Sequence, residues 1–319
     1  MHVLIITPTY LPTITGNAIT VERIANALKK IKVKVSITTP QRYKEISKKI
    51  NPDILHFFHA TKSYVGKVKE PYILTFTGTD SNVQMYQKAF QKKIKEVVNN
   101  AKCITFFRRT NTKEIEKQIG ITISKKIIIK PAVSLKNSSF SIRKKYDLKK
   151  ETPIILLIAG IRAVKDPLYA IREYEAIHRK YPQTKLIILG EKADQKLWKQ
   201  IKKETKNSSI IANIQHKHMK NVYKEADIII NTSNSEGLSN AMLEAMSLKK
   251  PILCSDVPGN EVIPKKYRFN KKKGELTKLL LKFLKKPWKP VYKYQISTPQ
   301  KEAEAYKKIY HQVLKDNMI

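Results

Sequence analysis

The sequence has few cysteines, glycines and acidic residues, and it has no long hydrophobic run. Two cysteines in 319 residues, Cys103 and Cys254, give neither a disulfide framework nor zinc-ligand spacing, which favours a reducing compartment. The longest apolar stretch, residues 154–161, is far shorter than the roughly 18 residues that a membrane-spanning helix needs. Residues 1–7 lack the basic region of a signal peptide. We therefore expect a cytoplasmic protein.

The scarcity of acidic residues leaves a strongly basic chain. There are 63 lysines and arginines against 26 aspartates and glutamates, so the net charge is +37, and only nine of the basic residues are arginine. Biased composition with a solvated lysine surface explains this charge without any partner. The alternative is an anionic partner, such as a membrane surface, a phosphorylated substrate or nucleic acid. Specific nucleic-acid binding is disfavoured because arginine, the usual base-reading residue, is scarce.

Hydrophobic residues make up 41% of the chain, enough for packed cores, and they fall in short runs separated by helical segments. Runs that are apolar throughout, with helices between them, predict buried parallel sheets. The predicted strands lie at 2–7, 33–38, 53–58, 72–77, 102–107 and 126–130, and then at 153–160, 184–190, 209–214, 227–232 and 251–255. This order predicts an α/β protein with two doubly wound, Rossmann-like domains.

The domain boundary is predicted where this alternation breaks. Residues 131–152 open on a proline and collect six basic residues, which is typical of a linker. We expect domains at 1–135 and 136–298, and a final helix within 299–319 that packs back on the first domain. Such sheets bind ligands beyond the carboxyl ends of their strands, so the site is expected in the cleft between the two domains.

The most informative stretch is NTSNSEGLSNAMLEAM at 231–246, where a strand ends, a polar loop follows and a helix begins. The first-turn amides of a helix lack intrahelical partners and lie at its positive end, which suits a diphosphate. Gly237 permits close approach of the backbone. Glu236 and Glu244 would repel a diphosphate, so their natural partners are sugar and ribose hydroxyls. The alternative is a surface loop with a capping serine and an ordinary helical glutamate.

The full string resembles the Glu-x7-Glu motif of the retaining glycosyltransferases of family 4, which have the GT-B fold. The segment PILCSDVPGNE at 251–261 continues the pattern. The resemblance implies that Glu236 lies beside the donor sugar and the transferring centre, and that Glu244 binds the ribose hydroxyls. It also implies that backbone amides hold the distal phosphate, and the residues concerned are Gly237, Leu238, Ser239 and Asn240.

Two glycine-containing loops fit the same family. Gly160 follows the first strand of the second domain, and Arg162 and Lys165 after it are placed to neutralise a diphosphate leaving group. The alternative is two ordinary basic residues on a solvent loop, and the family's spacing is about two residues longer. In the first domain, Gly16 and Asn17 open a helix after the first strand, where the family lets the backbone approach the donor phosphate.

The acceptor side is less well defined by the sequence. Many relatives carry a histidine where this chain has Thr77. The candidates here are His59, Lys62, Thr79 and Asp80, although a lone histidine at a strand end is more often structural. These residues, with Gly16 and Asn17, resemble two branches of the family: the small glycosyltransferase-1-domain-containing proteins and the selenosugar synthases, which couple a UDP-sugar to selenophosphate. In the second case His59 and Lys62 would meet an anionic acceptor.

Residues 265–293 form a basic segment with 12 lysines and arginines and one glutamate. A helix whose leucines pack on the second domain is one interpretation, and peripheral contact with the anionic inner face of a membrane is the other.

Together these features predict a retaining, metal-independent glycosyltransferase that uses a nucleotide sugar, most simply a UDP-sugar, as substrate and needs no cofactor. The acceptor stays open, and selenophosphate is one alternative. An inactive GT-B scaffold and a polyanion-binding protein are the alternatives from other classes.

Overall fold

The computed structural model describes residues 1–13, 15–108, 112–205 and 209–317. The chain divides into two compact units, Met1–Val133 with Ile296–Ile319, and Ser134–Gln295. Each unit is an α/β sandwich around one six-stranded parallel sheet. The predicted fold class of two Rossmann-like parallel-sheet domains is therefore confirmed. No helix in the described part of the chain is long and apolar enough to cross a membrane.

The first unit has the sheet order β2-β1-β3-β4-β5-β6, and every pair is parallel. Its central strands are buried along their whole length, because helices cover both faces of the sheet. The elements are β1 His2–Ile6, α1 Gly16–Lys30, β2 Lys34–Thr38, α2 Tyr43–Ile50, β3 Ile54–Phe58, β4 Tyr72–Thr75, α3 Thr79–Asn82, α4 Lys88–Asn100, β5 Cys103–Phe106, α5 Thr112–Ile119 and β6 Lys126–Ile128.

The second unit has the order β12-β11-β10-β7-β8-β9, again all parallel. The two-residue strand β12 is too short to be recognised from sequence, and the other strands match the predicted runs to within three residues at either end. The elements are α6 Ile142–Lys145, β7 Ile154–Ile158, α7 Pro167–Lys180, β8 Lys185–Leu189, α8 Gln195–Glu204, β9 Ser209–Ala212, α9 Met219–Glu225, β10 Ile228–Asn231, α10 Asn240–Ser247, β11 Ile252–Ser255, β12 Arg268–Phe269 and α11 Glu275–Lys285.

Most of the segment expected to be a linker belongs to the second unit. Ser141 caps the short helix α6, and Ile142 is fully buried. The Arg143 guanidinium donates to the carbonyls of Lys149, Thr152 and Glu225, so it ties the segment to α9. Lysine-rich composition suggested a solvated connection, whereas a few specific contacts suffice to fold it onto the domain.

The final helix, α12 Pro299–Asp316, is part of the first unit and packs along α1. Arg23 and Glu302 form a buried two-bond ion pair between the two helices, at 2.8 and 2.9 Å. Tyr310 is hydrogen-bonded to His56 on β3, which is itself fully buried. Apolar and paired polar groups together therefore fix α12 on the first sheet.

The basic helix α11 turns its apolar residues inward. Leu276, Leu280 and Phe283 are buried, and the ring of Trp288 stacks on Tyr267 and packs edge-on against Phe283. These contacts are those expected if the basic segment is a helix that packs on the second unit.

Each sheet has one point where the strand order reverses, and ligands of doubly wound sheets bind beyond the carboxyl ends of the strands there. In the second unit the reversal lies between β7 and β10. In the first unit it lies between β1 and β3. The loops after these four strands carry most of the candidate site residues.

Candidate active site

The loops after β7 and β10 meet at the reversal point of the second sheet. The Asn234 amide donates to the Val164 carbonyl at 2.8 Å, and the Thr232 hydroxyl lies 3.0 Å from the carbonyls of both Lys165 and Asp166. These backbone contacts hold one loop against the other. Two segments that lie about 70 residues apart in the sequence are thereby joined, as the predicted site requires.

Glu236 lies at the centre of these loops and is 6% exposed. Three side chains donate to its Oε1 atom: Lys165 Nζ at 2.6 Å, Ser233 Oγ at 2.6 Å and Asn231 Nδ2 at 2.9 Å. Burial by itself raises the pKa of Glu236, but the Lys165 charge and the three hydrogen bonds outweigh it and hold the pKa below its ordinary value. The group is therefore a buried carboxylate at neutral pH.

Arg162 differs from Lys165 in its surroundings. Its side chain is exposed, and among the residues that the structure describes no acidic side chain forms an ion pair with it. Lys165 is only 18% exposed and is engaged by Glu236. The site thus contains two cations: Lys165, which is paired with the Glu236 carboxylate, and Arg162, which is solvent-exposed beside Gly160.

The helix α10 begins at Asn240, close after Glu236 in the chain. Its N-cap, Ser239, is buried but makes no side-chain hydrogen bond to the first turn, and the first turn contains no acidic residue. Ser239 therefore does not act as an ordinary side-chain cap at the start of α10. The N-terminus of α10, which is the positive end of its dipole, follows the Gly237–Leu238 segment and has no acidic side chain in its first turn.

Glu244 lies on α10 and is held by two side chains that sequence reasoning missed. Tyr223 donates its hydroxyl to Oε2 at 2.8 Å, and His216 Nε2 lies 2.8 Å from Oε1. Burial and the nearby Glu244 charge raise the pKa of Tyr223 well above its ordinary value, so the tyrosine remains a donor. No sequence signal marked either residue, because both precede β10 and stand outside the motif. Within the described residues, no three His, Cys, Asp or Glu side chains group as metal ligands would.

Two glycines outside the predicted set hold the loops in place. A Cβ on Gly259, whose φ is +95°, would lie 2.4 Å from the Glu236 carbonyl oxygen. A Cβ on Gly190 would lie 2.1 Å from the Ala159 carbonyl oxygen, just before Gly160. Any side chain at either position would displace backbone of the site. In the sequence, the PGN string at 258–260 indicates a turn, but it does not predict that Gly259 packs against the Glu236 carbonyl.

In the first unit the loop after β1 leads into α1, which begins at Gly16 as expected. Thr15 is its N-cap and accepts a hydrogen bond from the Ala18 amide. Gly16 is exposed and Asn17 is half-buried at the first turn.

His59 follows β3 with a φ of +128°, a strained value for a residue with a side chain. The amides of Thr61 and Lys62 both donate to its Nδ1 atom at 3.2 Å, so the proton of the neutral ring is on Nε2. Burial lowers the pKa of His59, and Lys62 and Lys93 reinforce this against the opposing effect of Asp80. The 3.7 Å approach of Asp80 to Nδ1 is therefore not an ion pair.

Asp80 is fully buried and binds backbone. Its oxygens accept from the amides of Ala60, Thr77, Gly78 and Ser81, at 2.8 to 3.0 Å for the shortest contact of each. These bonds tie the loop after β3 to the loop after β4. Asp80 is thus committed within the protein fold.

The remaining candidates on this side, Lys62 and Thr79, have exposed side chains. Near Lys62, a shallow cavity of about 540 Å³ opens between the loop after β3 and α4, and Tyr64, Lys92, Lys93 and Glu96 line it. The first unit therefore presents several cations around the loop that carries His59.

Comparison with known families covers most of the chain. The model of glycosyl transferases group 1 matches residues 138–308, more than half of the chain, and that of glycosyl transferase 4-like proteins matches residues 1–108. The chain belongs to the glycosyl transferases group 1 family. A glycosyltransferase 1 domain-containing protein 1 from Xenopus tropicalis is 29% identical over 223 residues, which are 66% of this chain and 64% of the relative. The chain thus matches less than two thirds of that relative's length.

Solved structures of similar fold span the whole chain. Alr3699/HepE from Anabaena, crystallised with UDP-glucose, covers 100% of this chain and 99% of its own, with a TM-score of 0.71 at 14% identity. Sucrose-phosphate synthase from Thermosynechococcus elongatus covers 99% of this chain and 96% of its own, with a TM-score of 0.71 at 14% identity. At such identities the likeness shows the fold, and the predicted GT-B type is confirmed.

Proposed function

We propose that this family member is a retaining glycosyltransferase that moves a sugar from a UDP-sugar to an acceptor, as the family 4 resemblance implies. The observation that carries the proposal is the buried Glu236 carboxylate, which receives three side-chain hydrogen bonds at the reversal point of the second sheet. A neighbouring protein of the same fold was crystallised with UDP-glucose, which supports the choice of donor.

The donor diphosphate would be held by Arg162, Lys165 and the amides from Gly237 to Asn240. Arg162 has no competing ion pair among the described residues, and α10 begins with no acidic residue in its first turn. Charge that develops on the diphosphate as the sugar leaves would be stabilised by these preorganised groups. Glu236 would act at the donor sugar. This electrostatic account needs no metal, so we expect EDTA to leave turnover unchanged.

Glu244 would accept from the ribose hydroxyls. Tyr223 and His216 occupy one hydrogen-bonding position on each of its oxygens, and a carboxylate oxygen has a second one. The Glu244 carboxylate can therefore accept further hydrogen bonds while His216 and Tyr223 fix its orientation.

An anionic acceptor is a second, more specific proposal for the first unit. The exposed Lys62 and the cavity lysine Lys93 both act electrostatically on His59, and Lys92 lines the same cavity. A phosphorylated small molecule, or selenophosphate as in the selenosugar branch, would suit this charge. Replacing Lys62 with alanine should then weaken acceptor use without changing donor binding.

The first test is thermal stability of the purified protein with UDP, GDP, ADP and their common sugar conjugates. We expect UDP and one or more UDP-sugars to raise the melting temperature selectively, because a ligand that binds only the folded state stabilises it. Glu244→Ala should abolish this rise. Glu204→Ala is the matched control, since Glu204 is in the same unit but pairs on the surface with Arg172. The anomeric configuration of the first product tests retention.

No response to any nucleotide in a folded protein would overturn the proposal. Binding of anionic polymers that collapses steeply with salt and ignores Glu236 would instead support the polyanion-binding alternative. A response that survives Glu244→Ala would place the nucleotide elsewhere in the chain and would also contradict the proposed site.

A further inference from the structure

A chain of buried amide side chains lies behind Glu236 and ends at Asn260, a residue with no assigned role. Asn260 is 0% exposed, and its Nδ2 atom donates to the Ser255 carbonyl at 2.9 Å and to Asn231 Oδ1 at 3.3 Å. Asn231 in turn donates from Nδ2 to Glu236 Oε1 at 2.9 Å. Asn231 at the end of β10 and Ser255 at the end of β11 are therefore connected, through Asn260, to the candidate active-site carboxylate.

The acceptors around Asn260 decide which way its amide faces. The Ser255 carbonyl can only accept, so the nitrogen of Asn260 must point towards it and also towards Asn231. The Ser233 amide can only donate, and it too faces Asn231 Oδ1, at 3.1 Å. With two donors on its oxygen, Asn231 must present its nitrogen to Glu236.

The backbone under Glu236 depends on the same segment. Gly259, the residue before Asn260, packs against the Glu236–Gly237 peptide so closely that a Cβ would lie 2.4 Å from the Glu236 carbonyl oxygen. The 258–260 turn therefore contacts Glu236 in two ways. Gly259 packs against its backbone, and Asn260 reaches its carboxylate through the Asn231 side chain.

We propose that Asn260 is a positioning residue for Glu236, acting through the side-chain amide of Asn231. Together with the Ser233 amide, it holds the Asn231 side chain in the orientation that donates to Glu236 Oε1, which helps to keep the carboxylate ionised and fixed in direction. This inference rests on the proposed function only for its catalytic consequence, because the hydrogen-bond chain is made by the protein's own side chains.

Lys165, Ser233 and Cys254 are other described groups that interact with Glu236. The charge of Lys165 and the hydrogen bond from Ser233 both lower the pKa of Glu236. Cys254 lies on β11, and burial raises the pKa of its thiol, so it stays neutral. A change at Asn260 leaves all three in place, so its effect on the titration of Glu236 is separable from theirs.

The test is the pKa of Glu236 in the ligand-free protein, followed by NMR of ¹³C-glutamate and assigned with Glu236→Gln. Asn260→Leu keeps the shape of the side chain and Asn260→Ala removes most of it, yet both remove the amide. We expect both to raise the pKa of Glu236 by about half a unit or more, because a hydrogen bond to the charged form is weakened. Hydrolysis of UDP-glucose should fall about tenfold or more, with the Kd for UDP changed less than about threefold.

Asn221→Ala is the matched control, because Asn221 is in the same unit and is hydrogen-bonded to the Ser138 backbone, outside the candidate site. A merely structural role would make the effects follow the loss of melting temperature, which should be larger for alanine than for leucine. If neither Asn260 variant folds, Asn231→Leu must reproduce the rise in the Glu236 pKa. An unchanged titration in any folded variant that lacks either amide overturns the proposal.

The two proposals fail in different measurements. Wild-type protein that binds neither UDP nor UDP-glucose contradicts the proposed function, whereas the titration of Glu236 still decides the role of Asn260. Normal donor binding with an unchanged titration of Glu236 contradicts only the positioning role.

Discussion

The two units each bury a carboxylate shortly after the end of a central strand, and these carboxylates are held by different kinds of donor. Asp80 in the first unit accepts from four backbone amides. Glu236 in the second unit accepts from three side chains, one of them the charged Lys165. Similar burial thus accompanies two different electrostatic surroundings.

The kind of donor determines what each carboxylate can do. Backbone amides move only when the loop unfolds, so the bonds of Asp80 stabilise one loop conformation. Side chains can rotate, and an ammonium group can exchange one anion for another, so the surroundings of Glu236 can respond to a bound diphosphate. We infer that Asp80 shapes the loops after β3 and β4, whereas the side-chain donors of Glu236 leave it able to take part in the proposed reaction.

The largest expected effect is the loss of turnover in Glu236→Gln. The variant keeps the size of the side chain but removes the charge beside the proposed reacting centre, and such losses cost about 10²- to 10³-fold in kcat. Folding should change little, because Lys165 is partly exposed and can turn to solvent. Steady-state kinetics with UDP binding as the control checks this, and wild-type turnover in the variant would remove Glu236 from the mechanism.

The second effect is a loss of stability in Asp80→Asn. The amide nitrogen of the new side chain would face a backbone N–H that now donates to the carboxylate, so the free energy of unfolding should fall by about 2–3 kcal/mol. Urea unfolding, with hydrogen exchange of the amides in residues 57–81, measures it. Asp53→Asn is the control, because Asp53 is half-exposed and should cost under about 1 kcal/mol. Equal effects of the two changes would contradict the structural role of Asp80.

The fold was largely predictable, because its signal is spread over many residues. Eleven apolar runs marked eleven of the twelve strands, and any one of them could be misread without changing the sheet order by much. The failures were local. The segment 131–152 looked like a linker because its lysines dominate the composition, whereas Ile142, Arg143 and the Ser138 backbone fix it to the second unit.

The site was predictable only where the chain is continuous. Glu236, Gly237 and Glu244 stand within one motif, so their proximity follows from local structure. His216, Tyr223 and Asn260 reach the site from three other segments, and only tertiary packing brings them there. For Asp80 the sequence suggests a ligand-facing group because the residue follows a strand, and its four amide donors are visible only in the structure.

The smallest expected effect is a difference in acid sensitivity between the units. Burial lowers the pKa of His56 in the first unit to about 3, below its ordinary value of 6.5. The unfolded chain therefore binds a proton that the folded unit does not, and stability falls as the pH drops from about 6.5 towards 3. Between pH 7 and pH 5 this amounts to about 2 kcal/mol.

Glu236 in the second unit has a lowered pKa, so its contribution is lost only as the pH falls below its ordinary value near 4.5. Hydrogen exchange at pH 7 and pH 5, corrected for intrinsic rates, should thus show weaker protection of β3, β4 and α12 at pH 5. The strands β7 and β10 should change little. His56→Gln, which cannot titrate, should reduce the difference even if it lowers stability at both pH values, and the remainder should come from His59, whose pKa burial also lowers. Equal weakening of both units would mean that acid acts on groups common to both, and the contrast between the two domains would then not arise from His56.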